Sequence, residues 1–147
     1  MDLGESLNTV IRSINSLIQN SKATINIDFS QLKKINFNKA YLESIYLNLI
    51  TNSIKYTQPG LYPIISVYSK KVNGENQLIF SDNGIGFDME LAKDKIFGLH
   101  QKFHNHKDSK GIGLYLVNNH ITSLGGKIGV ESTINKGTTF TITFKKD

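Results

Sequence analysis

Apolar residues recur along this chain with two different periods, and the change from one period to the other predicts a mixed α and β fold. Spacings of three and four residues are typical of amphipathic helices, whereas alternate spacing is typical of strands. We predict helices at residues 5–20, 39–56 and 112–124, and a short helical stretch that Asp88 opens. We predict strands at residues 23–29, 34–37, 62–71, 75–81, 127–132 and 138–145.

Turn-forming residues mark the ends of these segments. Asn38 is the predicted N-cap of the second long helix, and residues 58–60 (Gln-Pro-Gly) close that helix. Residues 73–74 (Asn-Gly) are typical of a tight turn between two antiparallel strands, and residues 125–126 (Gly-Gly) stop the third helix. The pattern therefore predicts a two-layer α+β sandwich, in which a mixed, mostly antiparallel sheet of about five strands packs on three helices.

Composition narrows the possible functions. The length of 147 residues predicts one domain, and the absence of cysteine excludes disulfides and thiolate metal sites. No apolar run approaches the roughly 20 residues of a membrane span, and the N-terminus lacks a signal-peptide pattern, so we expect a cytoplasmic domain without membrane contact. The net charge of +5 comes mostly from scattered lysines, which does not favour nucleic-acid binding.

The segment Asp82-Asn83-Gly84-Ile85-Gly86 follows an apolar strand directly. A carboxylate at the end of a strand can accept a hydrogen bond from an exocyclic amine such as that of adenine. The two glycines allow a sharp turn and a close approach of the backbone to a ligand. An ordinary turn between two strands explains the same segment equally well when it is considered alone.

Asn48, Asn52 and Tyr56 lie four residues apart on one stripe of the second long helix, and Lys55 lies beside them. Because the rest of this helix is mostly apolar, the two amides need hydrogen-bond partners or a ligand. Amide oxygens can ligate Mg²⁺, which shares its oxygen ligands with phosphates. Lys55 could then contact a phosphate, and Tyr56 could stack on a base. The alternative is that the amides bridge buried backbone groups.

Two further glycine segments could serve a phosphate ligand. Gly111 and Gly113 lie at the start of the third long helix, where free N–H groups and the helix dipole favour an anion. A flexible loop that ends in a helix is the alternative explanation. Residues 137–139 (Gly-Thr-Thr) open the last strand and add small hydroxyl groups.

In this order the segments resemble those of the ATP-binding catalytic domain of sensor histidine kinases, within the superfamily that includes gyrase-type ATPases, heat-shock chaperones and mismatch-repair proteins. The resemblance extends over nearly the whole chain. Residues 48–57, 82–87, 95–104 and 110–117 resemble the N-box, the first glycine box, the phenylalanine box and the second glycine box. Residues 125–144 resemble the closing strands of the family.

The resemblance implies that the chain binds ATP together with Mg²⁺. It implies that Asp82 binds the adenine amine and that Asn52, helped by Asn48, ligates the metal. Lys55 would contact phosphate and Tyr56 would stack near the base, while residues 98–110 would form a lid over the nucleotide. The other nucleotide-binding positions that the resemblance implies are Gly84, Ile85, Gly86, Phe97, Lys110, Gly111, Gly113, Leu114 and Thr139.

One position distinguishes two branches of this superfamily. Gyrase-type and chaperone ATPases carry a water-activating glutamate four residues before the metal-binding asparagine. Here that position is Asn48, whose amide is not a base at neutral pH. Glu43 would point about 140° away from it on the helix. The sequence therefore favours phosphoryl transfer to another acceptor over transfer to water.

The resemblance implies that the acceptor is a histidine on a separate dimerisation domain, and that a response regulator receives the phosphate indirectly. None of the four histidines of this chain fits the acceptor motif, so we predict no catalytic residue within it and no phosphotransfer by the chain alone. Three alternatives remain open: an ATP-binding interaction module without kinase activity, an ATP-hydrolysing clamp, and an anti-sigma-type serine kinase. The four histidines are His100, His104, His106 and His120.

Overall fold

A computed structural model describes residues 1–89 and 112–146, and five strands and four helices lie within these ranges. The helices are α1 (Leu3–Ser13), α2 (Asn15–Ser21), α3 (Lys39–Lys55) and α4 (Ile112–Ser123). The strands are β1 (Thr24–Asp28), β2 (Ile64–Val72), β3 (Glu75–Asp82), β4 (Lys127–Thr133) and β5 (Gly137–Thr143). Met89, directly after Asp88, is helical, and the rest of that predicted stretch and the predicted lid lie outside the described residues.

The five strands form one sheet in the order β1-β2-β3-β5-β4. β1 and β2 are parallel because the chain crosses over through α3 between them, and the other three pairings are antiparallel. Asn73 and Gly74 have φ values of 52° and 79°, as a tight turn between β2 and β3 requires. The predicted mixed, mostly antiparallel α+β sandwich is confirmed.

The core lies between one face of the sheet and the helices. Because side chains alternate along a strand, Leu78 and Phe80 of β3 point to this face, opposite Ile142 and Phe140 of β5. Leu42, Ile45, Leu49 and Ile50 of α3 are fully or almost fully buried in the same core. The last residue of β3, Asp82, continues the alternation and therefore lies on the side that α3 covers.

Both predicted caps of the long helices are present. The Asn38 side-chain oxygen accepts a hydrogen bond from the backbone N–H of Tyr41 at 3.0 Å, which satisfies a free donor in the first turn of α3. After α4, Gly125 adopts a φ of 83° and the N–H of Gly126 donates to the carbonyl of Ile121. These local signals position the two helices that border the candidate site.

The first predicted helix is wrong as a single element. The chain bends at Ile14, whose φ and ψ of −115° and 25° end α1 and begin α2. Leu3, Leu7 and Val10 of α1 are buried, whereas α2 buries no residue. The bend therefore lets α1 remain on the core while the chain turns towards β1.

The predicted strand at residues 34–37 is also wrong. Lys34 forms only an isolated bridge with Asp2, because the chain leaves the extended conformation and enters α1 directly after Asp2. No helix within residues 1–89 or 112–146 combines the length and the apolar character that a membrane crossing requires.

Candidate functional site

Asp82 is held by hydrogen bonds from three different parts of the fold. Its Oδ2 accepts from the hydroxyl of Ser53 on α3 at 2.8 Å. Its Oδ1 accepts from the backbone N–H of Gly84 at 2.9 Å and from that of Thr138 on β5 at 3.3 Å. These donors fix the orientation of the carboxylate between the sheet and the end of α3.

Burial raises the pKa of the Asp82 carboxyl above its ordinary value, because desolvation disfavours the charged form. The hydrogen bonds from Gly84, Ser53 and Thr138 act in the opposite direction and lower the pKa. The carboxylate is thus an acceptor in a partly desolvated position, where a hydrogen bond from a ligand amine is stronger than in water.

The raised pKa predicts a specific pH dependence of stability. The folded chain binds a proton at Asp82 at a higher pH than the unfolded chain does, so the contribution of Asp82 to the free energy of unfolding rises as the pH falls through its folded-state pKa. We expect the stability of the wild type to increase relative to that of Asp82→Asn on acidification from pH 7. Urea unfolding of both proteins at several pH values measures the difference between their free energies of unfolding. If this difference does not change with pH, the expectation is wrong.

The two glycines of the Asp82 segment pack against backbone atoms of the protein. A Cβ on Gly84 would lie 2.7 Å from the carbonyl oxygen of Tyr56, to which the N–H of Ile85 donates at 2.8 Å. Gly86 has a φ of 65°, and a Cβ there would overlap the carbonyl oxygen of Thr133. The segment is therefore wedged between the end of α3 and the end of β4.

Gln58 and Asn83 complete the support of this segment. The side-chain amide of Gln58 lies 2.9, 3.2 and 3.0 Å from the carbonyl oxygens of Asn83, Gly84 and Asn135, respectively. The side chain of Asn83 accepts from the N–H of Ile64 at the start of β2 at 2.8 Å. Gln58 was predicted only as part of the turn that closes the helix, because the carbonyl groups that its side chain joins are 25 to 77 residues away.

Asn52 directly precedes Ser53 on α3, so the predicted metal ligand and the serine that binds Asp82 are neighbours. Within the described parts of the chain, the half-buried side-chain amide of Asn52 makes no hydrogen bond, and its oxygen is available to a ligand. One turn earlier, the Asn48 Nδ2 donates to the carbonyl oxygen of Ser44 at 2.8 Å. Asn48 therefore also presents an oxygen, which fits the preference of Mg²⁺.

No cluster of three or more His, Asp or Glu side chains that could hold a metal occurs in the ranges 1–89 and 112–146. A Mg²⁺ at Asn48 and Asn52 would therefore need phosphate oxygens or water as further ligands, as is usual for this ion. Lys55, the last residue of α3, is exposed beside the same stripe, and its Nζ lies 5.9 Å from the ring centroid of Tyr56, the C-cap residue.

The start of α4 lies against this stripe. A Cβ on Gly113 would be 2.9 Å from the Asn48 Oδ1, so an alanine there would displace the Asn48 amide. The next residue, Leu114, is buried in the core. The predicted positions Phe97, Lys110 and Gly111 lie outside the described residues, as do the three predicted lid histidines.

The register of β3 and β5 separates the two adjacent threonines. Thr138 is paired with Asp82 and lies on the same face of the sheet, whereas Thr139 is paired with Ser81 on the opposite face. The Thr139 Oγ1 lies 3.2 Å from the Ser81 Oγ. The structure therefore places Thr138 beside Asp82 and Thr139 beside Ser81, and the nucleotide-binding role of Thr139 stays a prediction.

A family model described as histidine kinase-, DNA gyrase B- and HSP90-like ATPase matches residues 38–147. Histidine protein kinase SaeS of Staphylococcus aureus is 28% identical over 99% of this chain and 43% of its own length. Heme sensor protein HssS of Staphylococcus saprophyticus is 34% identical over 95% of this chain and 30% of its own length. The chain thus spans less than half the length of these two relatives.

Solved structures share the fold. The catalytic domain of histidine kinase ThkA superposes with a TM-score of 0.80 at 22% identity, covering 99% of this chain and 95% of that domain. Full-length ShkA, solved in complex with AMPPNP, gives a TM-score of 0.79 at 22% identity, covering 98% of this chain and 30% of that protein.

Proposed function

The chain belongs to the family of histidine kinase-, DNA gyrase B- and HSP90-like ATPases and has the fold of a sensor histidine kinase catalytic domain, and from this premise we propose that it binds Mg-ATP and transfers the γ-phosphate to a histidine on a separate dimerisation and phosphoacceptor domain. The match confirms the family that the four segments predicted, and it supports ATP as the ligand. The transfer of phosphate to a histidine, the bound Mg²⁺, the phosphoacceptor domain and the response regulator are part of the proposal.

The observation that carries the proposal is the contact between Ser53 and Asp82, at 2.8 Å. This contact joins the carboxylate that would bind the adenine amine to α3. Asn52, the residue before Ser53 on that helix, would ligate the metal. The base and the phosphates of one nucleotide could therefore lie along α3, with the adenine at Asp82 and the phosphates near Asn48 and Gly113. A single ligand would then use all the segments that the sequence analysis identified.

In this mechanism the protein positions the nucleotide and compensates its charge. Asp82 would accept a hydrogen bond from the adenine amine, and Lys55 would lie near the phosphates. Mg²⁺, when bound through Asn52 and Asn48, would neutralise charge on the phosphate oxygens. Phosphoryl transfer depends mainly on such positioning and electrostatic stabilisation, and less on covalent chemistry by the protein.

The contacts of Asn48 support transfer to a histidine over hydrolysis. The residue one turn before Asn52 is Asn48, whose NH₂ group donates to Ser44 and whose amide has no basic site at neutral pH, so it cannot remove a proton from water. A phosphoacceptor domain would then supply the nucleophile, and a response regulator would receive the phosphate from it. We place this chemistry in the cytoplasm, without a role for nucleic acid.

Calorimetry tests the nucleotide site. We expect saturable binding of Mg-ATP at one site and no binding of Mg-GTP, because guanine presents a carbonyl oxygen where adenine presents its amine. Equal affinity for the two nucleotides would contradict the role of Asp82. Absence of binding to either would contradict the proposed function.

Incubation with labelled ATP and the phosphoacceptor domain tests the transfer. We expect an acid-labile phosphohistidine on that domain and slow phosphate release by the chain alone. ATP binding without a phosphorylated product would favour the interaction module, and acid-stable phosphoserine on a partner would favour the serine kinase. Rapid phosphate release by the isolated chain would favour the hydrolysing clamp.

A further inference from the structure

A row of polar contacts joins α4 to the predicted metal ligand Asn48. The Nε2 of His120 on α4 lies 3.2 Å from the hydroxyl oxygen of Ser44 on α3. The Nδ2 of Asn48 lies 3.2 Å from the same hydroxyl and 2.8 Å from the carbonyl oxygen of Ser44. The ring of His120 also stacks on that of Tyr41 at a centroid distance of 4.3 Å. The motifs that predicted the nucleotide site include neither Ser44 nor His120.

The chemistry of these atoms determines which way the Asn48 amide points. A backbone carbonyl oxygen only accepts hydrogen bonds, so the amide atom that lies 2.8 Å from the Ser44 carbonyl must be the NH₂ group. The reverse orientation would place two carbonyl oxygens against each other. The Asn48 oxygen therefore points away from Ser44, towards Gly113 in the first turn of α4.

The Ser44 hydroxyl can serve both neighbours at once. It accepts a hydrogen bond from the Asn48 NH₂ group, and its own proton can be donated to the Nε2 of His120. Burial lowers the pKa of His120, which favours the neutral ring that such a bond uses. Stacking on Tyr41 holds the ring in place, so His120 on α4 determines the rotamer of Ser44.

We propose that Ser44 and His120 are positioning residues that hold the Asn48 amide oxygen towards the metal bound with ATP, an inference that rests on the proposed function. Gly113 and His120, seven residues apart on α4, then act on Asn48 together. Gly113 allows the amide oxygen to lie close to the helix, and His120 fixes the other side of the amide through Ser44. The position of α4 therefore controls the orientation of a metal ligand on α3.

The test compares ATP affinity with Mg²⁺ and with EDTA in the wild type, Ser44→Ala, His120→Leu and His120→Gln. We expect Ser44→Ala and His120→Leu to bind Mg-ATP about threefold to tenfold more weakly, the usual effect of one lost hydrogen bond. Their affinity for ATP in EDTA should equal that of the wild type. His120→Gln should keep the affinity of the wild type, because its amide oxygen can accept the Ser44 proton.

A second measurement needs no nucleotide. Nuclear magnetic resonance of the free chain reports the side-chain NH₂ signals of Asn48, which should shift and exchange faster with solvent in Ser44→Ala. Ser13→Ala is the matched control, since Ser13 is also a helical serine with a hydrogen bond, to the carbonyl of Val10 in α1. The control should change neither the affinity nor the Asn48 signals.

Three results would overturn the inference. If Ser44→Ala and His120→Leu lose as much ATP affinity in EDTA as with Mg²⁺, the two side chains have only a packing role. If neither variant changes the affinity, the two side chains have no role in binding. Loss of Mg-ATP affinity in His120→Gln equal to that in His120→Leu would exclude the bond to Ser44. A wild type that binds ATP equally with and without Mg²⁺ would contradict the metal role in the proposed function itself, so the two failures are distinguishable.

Discussion

Asp82→Asn is expected to weaken ATP binding by about a hundredfold, because a hydrogen bond to a charged group contributes roughly 1.5–3 kcal/mol and a misplaced donor costs a further 1 kcal/mol or more. The Asp82 oxygens face the hydroxyl of Ser53 and the N–H groups of Gly84 and Thr138. An NH₂ group at this position would meet one of these donors or the adenine amine. The substitution therefore removes an acceptor and introduces a donor at the same point.

The stability of Asp82→Asn should change much less than its affinity. Replacement of the partly desolvated carboxylate by a neutral amide removes an electrostatic cost, which offsets the poorer hydrogen bonds. We expect the free energy of unfolding at pH 7 to differ from that of the wild type by no more than about 1 kcal/mol. Calorimetry with Mg-ATP and urea unfolding measure the two quantities on the same samples.

Asp28→Asn is the matched control. Asp28 also ends a strand, and its carboxylate accepts a hydrogen bond from the N–H of Ser30 at 3.0 Å, but the side chain is exposed. This variant should bind Mg-ATP as the wild type does. ATP affinity that is retained in Asp82→Asn, or lost equally in Asp28→Asn, would show that Asp82 does not bind the base.

Gly137→Ala is expected to destabilise the fold by about 3–5 kcal/mol, the combined cost of overpacking and of a strained backbone. Gly137 begins β5 with a φ of 117°, and a Cβ there would overlap the carbonyl oxygen of Asp82. The same Cβ would lie 3.2 Å from the Cα of Asn83. Neither neighbour can move without displacing the Asp82 segment, so nucleotide binding should be lost together with stability.

Gly129→Ala tests whether any glycine of the closing hairpin would give the same result. Gly129 lies in β4, which pairs with β5, and a Cβ there meets no atom within 4 Å. Since alanine loses less conformational freedom on folding than glycine does, this variant should be as stable as the wild type or up to about 1 kcal/mol more stable. Urea unfolding of the two variants measures the difference, and equal destabilisation would contradict the role assigned to Gly137.

The sequence by itself determined the long elements and the chemistry of the candidate site. Period and turn chemistry are local properties, so the N-cap at Asn38, the turn at residues 73–74 and the end of α4 at Gly125 could be predicted from neighbouring residues. The strand-end carboxylate, the asparagine stripe and the glycine segments were visible for the same reason. Their order along the chain identified the family, which the comparison confirms.

Only the tertiary structure decided which residues support that chemistry. The bend at Ile14 follows from the packing of α1, and the position of Thr138 beside Asp82 follows from the register between β3 and β5. Gln58 and Ser44 act on groups that belong to other elements. Such contacts depend on where distant segments meet after folding, and the period of a single segment carries no information about that meeting point.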